Sequence, residues 1–392
     1  MEKYLIEHLN APTSELRLKA LRHLLHLHKS GVLEPPNTGN NVNNHIHTTF
    51  SFSPYSPTKA LYLAWLSGLA TAGIMDHDSV GGAMEFIEAG RDVGFPITVG
   101  FECRVSIADT PFAGMRLNNP DQKSVAYVAM HAIPHQMLDM AELFLAPYRE
   151  KRNNRNNKMT QRLNEKIKPF NLELSFDEDV LPLSQALYRG SVTERHILYA
   201  LASKLTEPEF SKQFLLGQFK SQLIESIYID AHEELPHISD FVGLAKKLGA
   251  IPAYAYLGDV GDSVTGDKKA QSFEDSFLDE LLVYLKDIGF KAITYMPARN
   301  TSEQLARIKS LCQANNLFQI SGEDINSPLQ SFICDKINTP EFCHLIDSAW
   351  ALIGHERASA YDISKGMFSA ETEAAMPDLN ARIKHFAKLG KI

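Results

Sequence analysis

The sequence predicts an α/β protein built on a closed or nearly closed (β/α)7 barrel of the TIM type, with a helical prefix and a mainly helical insertion. Short apolar segments with the length of buried strands alternate with helix-like stretches in two parts of the chain. A chain of 392 residues is too long for one ordinary hydrophobic core, whereas a barrel that carries an insertion reaches this length. We therefore expect one barrel with additions.

The prefix, residues 1–38, is expected to be helical and to pack against the barrel. Its leucines recur at helical spacing, and Gly31 and the Pro35-Pro36 pair end the pattern. The recurring residues are Leu16, Leu18, Leu21, Leu24, Leu25 and Leu27.

The barrel is expected in two parts, residues 39–137 and 236–392. The predicted strands are 42–47, 72–76, 97–102, 125–131, 251–256, 292–296 and 318–321. Because helix-like segments separate most of these strands, the sequence favours a parallel arrangement.

The insertion, residues 138–235, has a different composition. A polar run at residues 151–158 and amphipathic stretches around Leu163 and Leu215 predict helices. In barrel enzymes such insertions leave from strand ends on the active-site face. This one could cap the pocket and select the substrate, or it could only stabilise the barrel.

The charge and the cysteines exclude several classes of protein. A net charge of -8 and a pI near 6.0 would repel phosphate backbones, so we expect no long nucleic acid as a partner. The four cysteines form no CxxC pair, which argues against disulfides and a zinc ribbon. No signal peptide or long apolar span is found, so we expect a cytoplasmic protein without a membrane partner. The oligomeric state is left open.

Two histidines lie at the end of the first predicted strand, in VNNHIH at residues 42–47. Alternation along a strand puts His45 and His47 on one face, about 6 to 7 Å apart along the chain. Both imidazoles can then bind one metal ion. The same spacing also occurs by chance, so the pair alone is weak evidence.

The next two strands end in carboxylates. IMDHDS at residues 74–79 supplies Asp76, His77 and Asp78, and TVGFE at residues 98–102 supplies Glu102. Burying such a cluster is costly unless something neutralises it. Alternatively, Asp78 caps a helix and His77 lies on the surface.

In this order and spacing, the three motifs resemble the signatures of the polymerase and histidinol phosphatase (PHP) family: HxH, a strand ending in DHD, and a strand ending in GxE. The resemblance covers roughly residues 41–131 and 250–326. It implies the distorted (β/α)7 PHP fold and a phosphoesterase-like, metal-dependent hydrolase. Within the insertion, TERHI at residues 193–197 is similar to the family's RPHIA segment, with the arginine displaced.

The resemblance also implies a set of metal ligands. In the PHP family one divalent ion takes the HxH pair, the GxE glutamate and an aspartate after the last strand. Here these positions are His45, His47, Glu102 and Asp324, the last within SGEDIN at residues 321–326. Two imidazoles and two carboxylates suit zinc, manganese or iron without selecting one.

The sequence departs from the family at the ligands of the second and third ions. Metal ligands of the family are replaced by Phe52, Tyr256 and Asn326, and the histidine of the fourth strand falls on Tyr127. His131 lies on the same face of that strand and could substitute. We expect one ion, with a second left open, and His77 and His131 as weak ligands or proton carriers.

Catalysis by a metal-activated water needs a base. His77 and Asp78 are the candidates, and Asp76 could instead orient the imidazole. Polar residues that precede or follow strands at the active-site face are candidates for substrate binding, because barrel active sites lie at that face. These candidates, together with one from the insertion, are Asn119, Asp121, His196, Tyr256, Arg299, Asn300 and Asn326.

The leading functional prediction is hydrolysis of a phosphate ester in a small anionic or sugar-like metabolite, because the resemblance implies it. The missing ligands leave two alternatives. One is a single-metal isomerase, epimerase or deacylase that acts on a sugar or sugar acid, and the other is a degenerate, non-catalytic binding protein that contains a metal.

Overall fold

A computed structural model describes residues 2–261 and 271–392. All seven predicted segments form strands of one sheet, which follow one another in chain order. The strands are β1 Val42–Ile46, β2 Thr71–His77, β3 Ile97–Ser106, β4 Val125–His131, β5 Ile251–Ala255, β6 Ala292–Tyr295 and β7 Phe318–Ser321. The predicted α/β barrel is confirmed.

The segment after β7, rather than β7 itself, completes the barrel. The Ile325 amide donates to the His45 carbonyl (3.1 Å), and the His47 amide donates to the Ile325 carbonyl (2.9 Å). The Asn44 side chain adds a hydrogen bond to the Ser321 carbonyl (2.8 Å). These bonds bring the residues that follow β7 next to the end of β1.

One strand departs from the expected parallel arrangement. β4 runs antiparallel to both β3 and β5, because turns without a crossover helix join it to β3. We call the end where the parallel strands finish the mouth, and the opposite end the floor. Tyr127 pairs with Arg104 near the mouth, whereas His131 pairs with Ile251 near the floor.

Helices surround this sheet, and α5 to α8 belong to the insertion. The prefix contains α1 in addition to the predicted helix α2. The helices are α1 Glu2–His8, α2 Ser14–Lys29, α3 Pro57–Leu66, α4 Ala83–Val93, α5 Leu138–Ile167, α6 Glu194–Leu205, α7 Glu209–Gln222, α8 Ile224–Ile227, α9 Ile238–Leu248, α10 Leu278–Ile288, α11 Ser302–Asn315, α12 His344–Tyr361, α13 Ala370–Ala375 and α14 Leu379–Gly390. Within the described ranges, no helix is long and apolar enough to cross a membrane.

Helix α12 covers the floor. The Glu356 carboxylate accepts hydrogen bonds from the Val99 amide and the Thr98 hydroxyl (2.9 Å each) at the start of β3. Leu352 of α12 belongs to one buried cluster with inward-facing Phe318 and Ile320. With the floor filled, the mouth is the open end of the barrel.

The insertion leaves from the floor, which corrects the expectation that it leaves from the active-site face. Because β4 runs away from the mouth, the chain emerges near His135, whose Nε2 lies 2.7 Å from Glu356. The 30 residues of α5, about 45 Å long at 1.5 Å per residue, then carry the chain back. At the mouth, Arg152 of α5 forms an ion pair with Asp78.

Candidate metal centre

Four side chains converge at the mouth, from β1, β3 and the segment after β7. The Nε2 atoms of His45 and His47 lie 3.4 and 3.3 Å from Oε1 of Glu102. His47 Nε2 also lies 3.2 Å from Oδ1 of Asp324. The structure therefore brings the four sequence-predicted ligands together.

The two imidazoles present unsatisfied nitrogens to this cluster. Nε2 of His45 and Nε2 of His47 are buried and have no hydrogen-bond partner among the described residues. An unpaired buried nitrogen costs free energy. A cation that accepts both lone pairs and both carboxylates would remove that cost, so the residues fit a divalent ion that takes mixed nitrogen and oxygen ligands.

Strong electrostatic coupling links the ligands. Burial would lower the pKa of His47, but the Asp324 and Glu102 carboxylates raise it to about 10. Burial would raise the pKa of Glu102, yet His77 and His45 hold it well below its usual range. The carboxylates thus favour a positive charge at this position, which a bound divalent ion would supply.

Asp76 fixes the loop that follows β1. Its carboxylate accepts hydrogen bonds from the Thr48 amide and hydroxyl (2.6 Å each) and from the Ser51 hydroxyl (2.7 Å). The Ser51 oxygen lies 3.3 Å from Nδ1 of His47. Asp76 thus acts on the His47 imidazole through Ser51, a residue that the sequence analysis missed.

Two residues after β7 shape the other side of the centre. The Asn326 amide donates to Oδ1 of Asp324 (2.7 Å), the same oxygen that faces His47. A Cβ on Gly322 would lie 2.6 Å from the Cβ of His45. Glycine is therefore needed for the chain to pass this close to β1.

His77 faces both the centre and the pocket. Its Nδ1 lies 3.0 Å from Oε1 of Glu102, its ring stacks on His47 with centroids 4.6 Å apart, and its side chain is 25% exposed. By contrast, the Asp78 carboxylate forms an ion pair with Arg152. Of the two candidate bases, His77 is the one that a substrate can reach.

His131 lies deeper in the barrel than the four ligands. Both of its ring nitrogens are buried without a partner within the described ranges, and it belongs to neither of the two metal-binding groups found among those residues. Burial lowers the pKa of His131 to about 3. It is a neutral imidazole between the centre and the floor.

A cavity of about 270 Å³ opens above the centre, between barrel loops and the insertion. Arg195, Leu198, Lys220 and Tyr228 of the insertion line it. Phe52, where the family has a metal ligand, packs on His196 with ring centroids 4.9 Å apart. The insertion therefore forms one wall of the pocket.

The predicted substrate-binding residues divide into two sets. Those that line the pocket are Asp121, Tyr256, Arg299 and Asn326. The other three hold local structure: Asn119 accepts from the Asp121 amide (2.9 Å), Asn300 donates to the Leu257 carbonyl (2.8 Å), and His196 accepts from the Thr193 amide (2.9 Å).

A buried network of charges joins the insertion to the barrel. Glu234 accepts from Arg104 (2.6 Å) and from Nε of Arg155 (2.8 Å). Glu194 pairs with Arg155 and with Arg152 (3.2 Å). The sequence analysis missed this network, although arginines every third residue in α5 and Arg104 two residues after Glu102 are a signal for it.

Solved structures of other proteins superimpose on this chain and support its fold. No protein-family model and no curated protein matches the chain. An inferred metal-dependent phosphoesterase of Bifidobacterium adolescentis superimposes with a TM-score of 0.55 at 20% identity, over 79% of this chain and 97% of that one. This chain has the same fold.

A second solved structure gives the same result. An amidohydrolase of Chromobacterium violaceum, with bound sulfate and no metal, has a TM-score of 0.56 at 17% identity, over 75% of this chain and 90% of that one. A two-domain protein of Bacteroides vulgatus with a PHP-like domain reaches only 0.31 at 14% identity, over 76% and 57%, which is too low to support an argument. The barrel that the PHP resemblance implied is thus confirmed.

Proposed function

We propose that the chain is a metal-dependent hydrolase that cleaves a phosphate ester of a small anionic or sugar-like metabolite with one divalent ion. The observation that carries this proposal is the convergence of His45, His47, Glu102 and Asp324, with two unsatisfied imidazole nitrogens at its centre. Neighbours of the same fold that are named as a phosphoesterase and an amidohydrolase support it.

The bound ion, zinc, manganese or iron, would polarise a phosphoryl oxygen and lower the pKa of water. His77 is suited to accept a proton from the attacking water, because its partly exposed ring lines the pocket. Donation from its Nδ1 to Glu102 leaves Nε2 with a lone pair for the proton of the attacking water.

Basic side chains line the wall of the pocket around the centre. Arg195, Lys220 and Arg299 lie there, and guanidinium and ammonium groups bind phosphate and carboxylate oxygens. They favour an anionic substrate, and the cavity of about 270 Å³ favours a small one.

We infer the number of ions from the residues that replace the other ligands. The Phe52 ring packs on the insertion, and the Tyr256 hydroxyl donates to Asp275 (2.6 Å). The two groups of described residues that could hold an ion both contain His47. We therefore assign one ion to the site.

Metal content and phosphate release test the proposal together. Protein purified without chelator would be analysed for metal per chain and then assayed for phosphate release from a panel of small phosphate esters. We expect one ion and turnover of at least one ester. Two or three ions with turnover would refute the single-ion assignment. One ion without phosphate release would refute the phosphoesterase and favour single-metal deacylation, isomerisation or epimerisation.

A further inference from the structure

The residue after His77 is held from three sides. The Asp78 amide donates to the Glu102 carbonyl (2.8 Å), and its carbonyl accepts from Arg149 (3.0 Å). Its carboxylate forms an ion pair with Arg152. Both arginines belong to α5 and are buried, so the insertion binds directly to the turn that follows His77 at the end of β2.

Asp78 adopts a backbone conformation that needs this support. Its φ of +49° lies in the left-handed region, which is uncommon for residues other than glycine, although aspartate tolerates it better than most. A residue with a Cβ is strained in such a conformation. The bonds from Arg149 and Arg152 hold the turn in place.

We propose that Arg149 and Arg152 are positioning residues for His77, so that a docked insertion is a condition for an assembled active site. His77 lies between two anchored neighbours, since Thr48 and Ser51 hold Asp76 and α5 holds Asp78. Consecutive Cα atoms are about 3.8 Å apart. Fixing both neighbours therefore fixes the backbone from which the His77 ring reaches Glu102.

The charged network extends this support to the rest of the insertion. Arg152 is held in turn by Glu194 at the start of α6 (3.2 Å), and Glu194 pairs with Arg155. A displacement of α5 or α6 would therefore reach Asp78 through contacts between buried charges. In this arrangement the ion-paired Asp78 anchors the turn after His77 instead of acting as a free base.

Asp78→Asn and Arg152→Met test the inference, with Arg152→Lys as the conservative variant. The first readout is the His77 imidazole signal in protein that is labelled with ¹⁵N-histidine and loaded with zinc, assigned by its absence in His77→Gln. We expect both variants to shift or broaden this signal and Arg152→Lys to restore part of it. Asp78→Gly adds a control, because glycine keeps the left-handed turn without strain but loses the ion pair.

The second readout is turnover, which rests on the proposed function. We expect kcat to fall about 10-fold to 100-fold, the range for misplaced catalytic groups and for residues that orient metal ligands, while KM changes much less. The matched control is Glu85→Gln, which weakens a buried pair between Glu85 and Arg17 (2.8 Å) but no contact of the centre, since the hydrogen bonds of Glu85 within the described ranges go to Arg17 and Thr58. It should lower the melting temperature without changing the His77 signal.

The outcomes separate the two proposals. If Asp78→Asn and Arg152→Met lower only the melting temperature, as Glu85→Gln does, and leave the His77 signal and kcat as in the wild type, the positioning role is wrong. If the wild-type protein releases no phosphate, the proposed function fails, but the imidazole signal still decides the positioning role.

Discussion

Two buried clusters of charge lie side by side at the mouth of the barrel and differ in how their groups are paired. In the arginine network, Glu234 accepts hydrogen bonds from both Arg104 and Arg155. In the metal centre, two imidazole nitrogens have no partner among the described residues. β3 contributes to both clusters, through Glu102 and Arg104. Buried acidic and basic residues therefore do not by themselves mark a site, whereas unpaired donor atoms that converge do.

Energetics explain the difference. Taking a charge out of water costs several kcal/mol, which a buried partner offsets only when the geometry is good and the remaining hydrogen-bonding groups are satisfied. The network meets most of this condition within the protein itself, since its carboxylates and guanidinium groups pair with one another and only Nε of Arg152 lacks a partner among the described residues. Its contacts hold the insertion on the barrel. The centre has no such pairing among the described residues, which fits the binding of a cation.

Glu102→Gln should have the largest effect, because it removes a negative charge from the centre of the ligand set. We expect loss of the ion and a fall in turnover on the order of 10⁴-fold, about 5 kcal/mol of barrier. Metal analysis after dialysis and an assay of phosphate release measure both effects. The Glu85→Gln variant is the control and should retain the ion at the metal centre. A Glu102→Gln variant that retains a full complement of metal would contradict the assignment of the centre.

The same type of substitution in the arginine network should lower stability but leave the ion bound. Glu234→Gln leaves the Arg104 and Arg155 guanidinium groups buried with less compensating charge, and breaking such a pair costs roughly 3–5 kcal/mol of stability. Urea denaturation measures the loss, and metal analysis should still find the ion. An unchanged denaturation midpoint together with loss of the ion would show that the two clusters are not distinct.

Glu274 provides a third case, a buried carboxylate that has no cationic partner within the described ranges. It accepts hydrogen bonds from the Leu257 (2.8 Å) and Gly258 (3.1 Å) amides, and its other oxygen has no partner within the described ranges. Burial raises its pKa from 4.5 to about 7. Between these pH values the unfolded chain binds fewer protons here than the folded chain does, so stability falls as pH rises through this window.

Glu274→Gln tests this expectation. The shift corresponds to about 3 kcal/mol at about 1.4 kcal/mol per pH unit. Relative to Glu274→Gln, the wild type should therefore lose up to about 3 kcal/mol between pH 4.5 and about pH 7. Chemical denaturation at a series of pH values measures the difference. Parallel curves for the two proteins would show that Glu274 keeps an ordinary pKa in the fold.

The sequence predicted the strands, because alternation and strand ends are local signals, and the resemblance to the PHP signatures implied the four ligands that the structure brings together. It did not predict that β4 is antiparallel, since the direction of a strand depends on how the preceding turns place it. The network was missed because it depends on contacts between distant segments, such as Glu234 with Arg104. The Asp76 contact with Ser51 likewise appears only when the loops after β1 and β2 meet.

Asn326 should show the smallest effect, and it tests how the centre is supported from outside the ligand set. Its amide donates to the Asp324 oxygen that faces His47, so Asn326→Ala frees that carboxylate to rotate while every ligand remains. We expect metal affinity to weaken about 10-fold, the lower end of the range for residues that orient ligands, or about 1.4 kcal/mol. Competition with a chromophoric chelator measures the affinity. Asn315→Ala, which removes an amide bonded to the Leu311 carbonyl of α11, is the matched control. Equal affinities in the two variants would mean that the hydrogen bond from Asn326 does not set the orientation of Asp324.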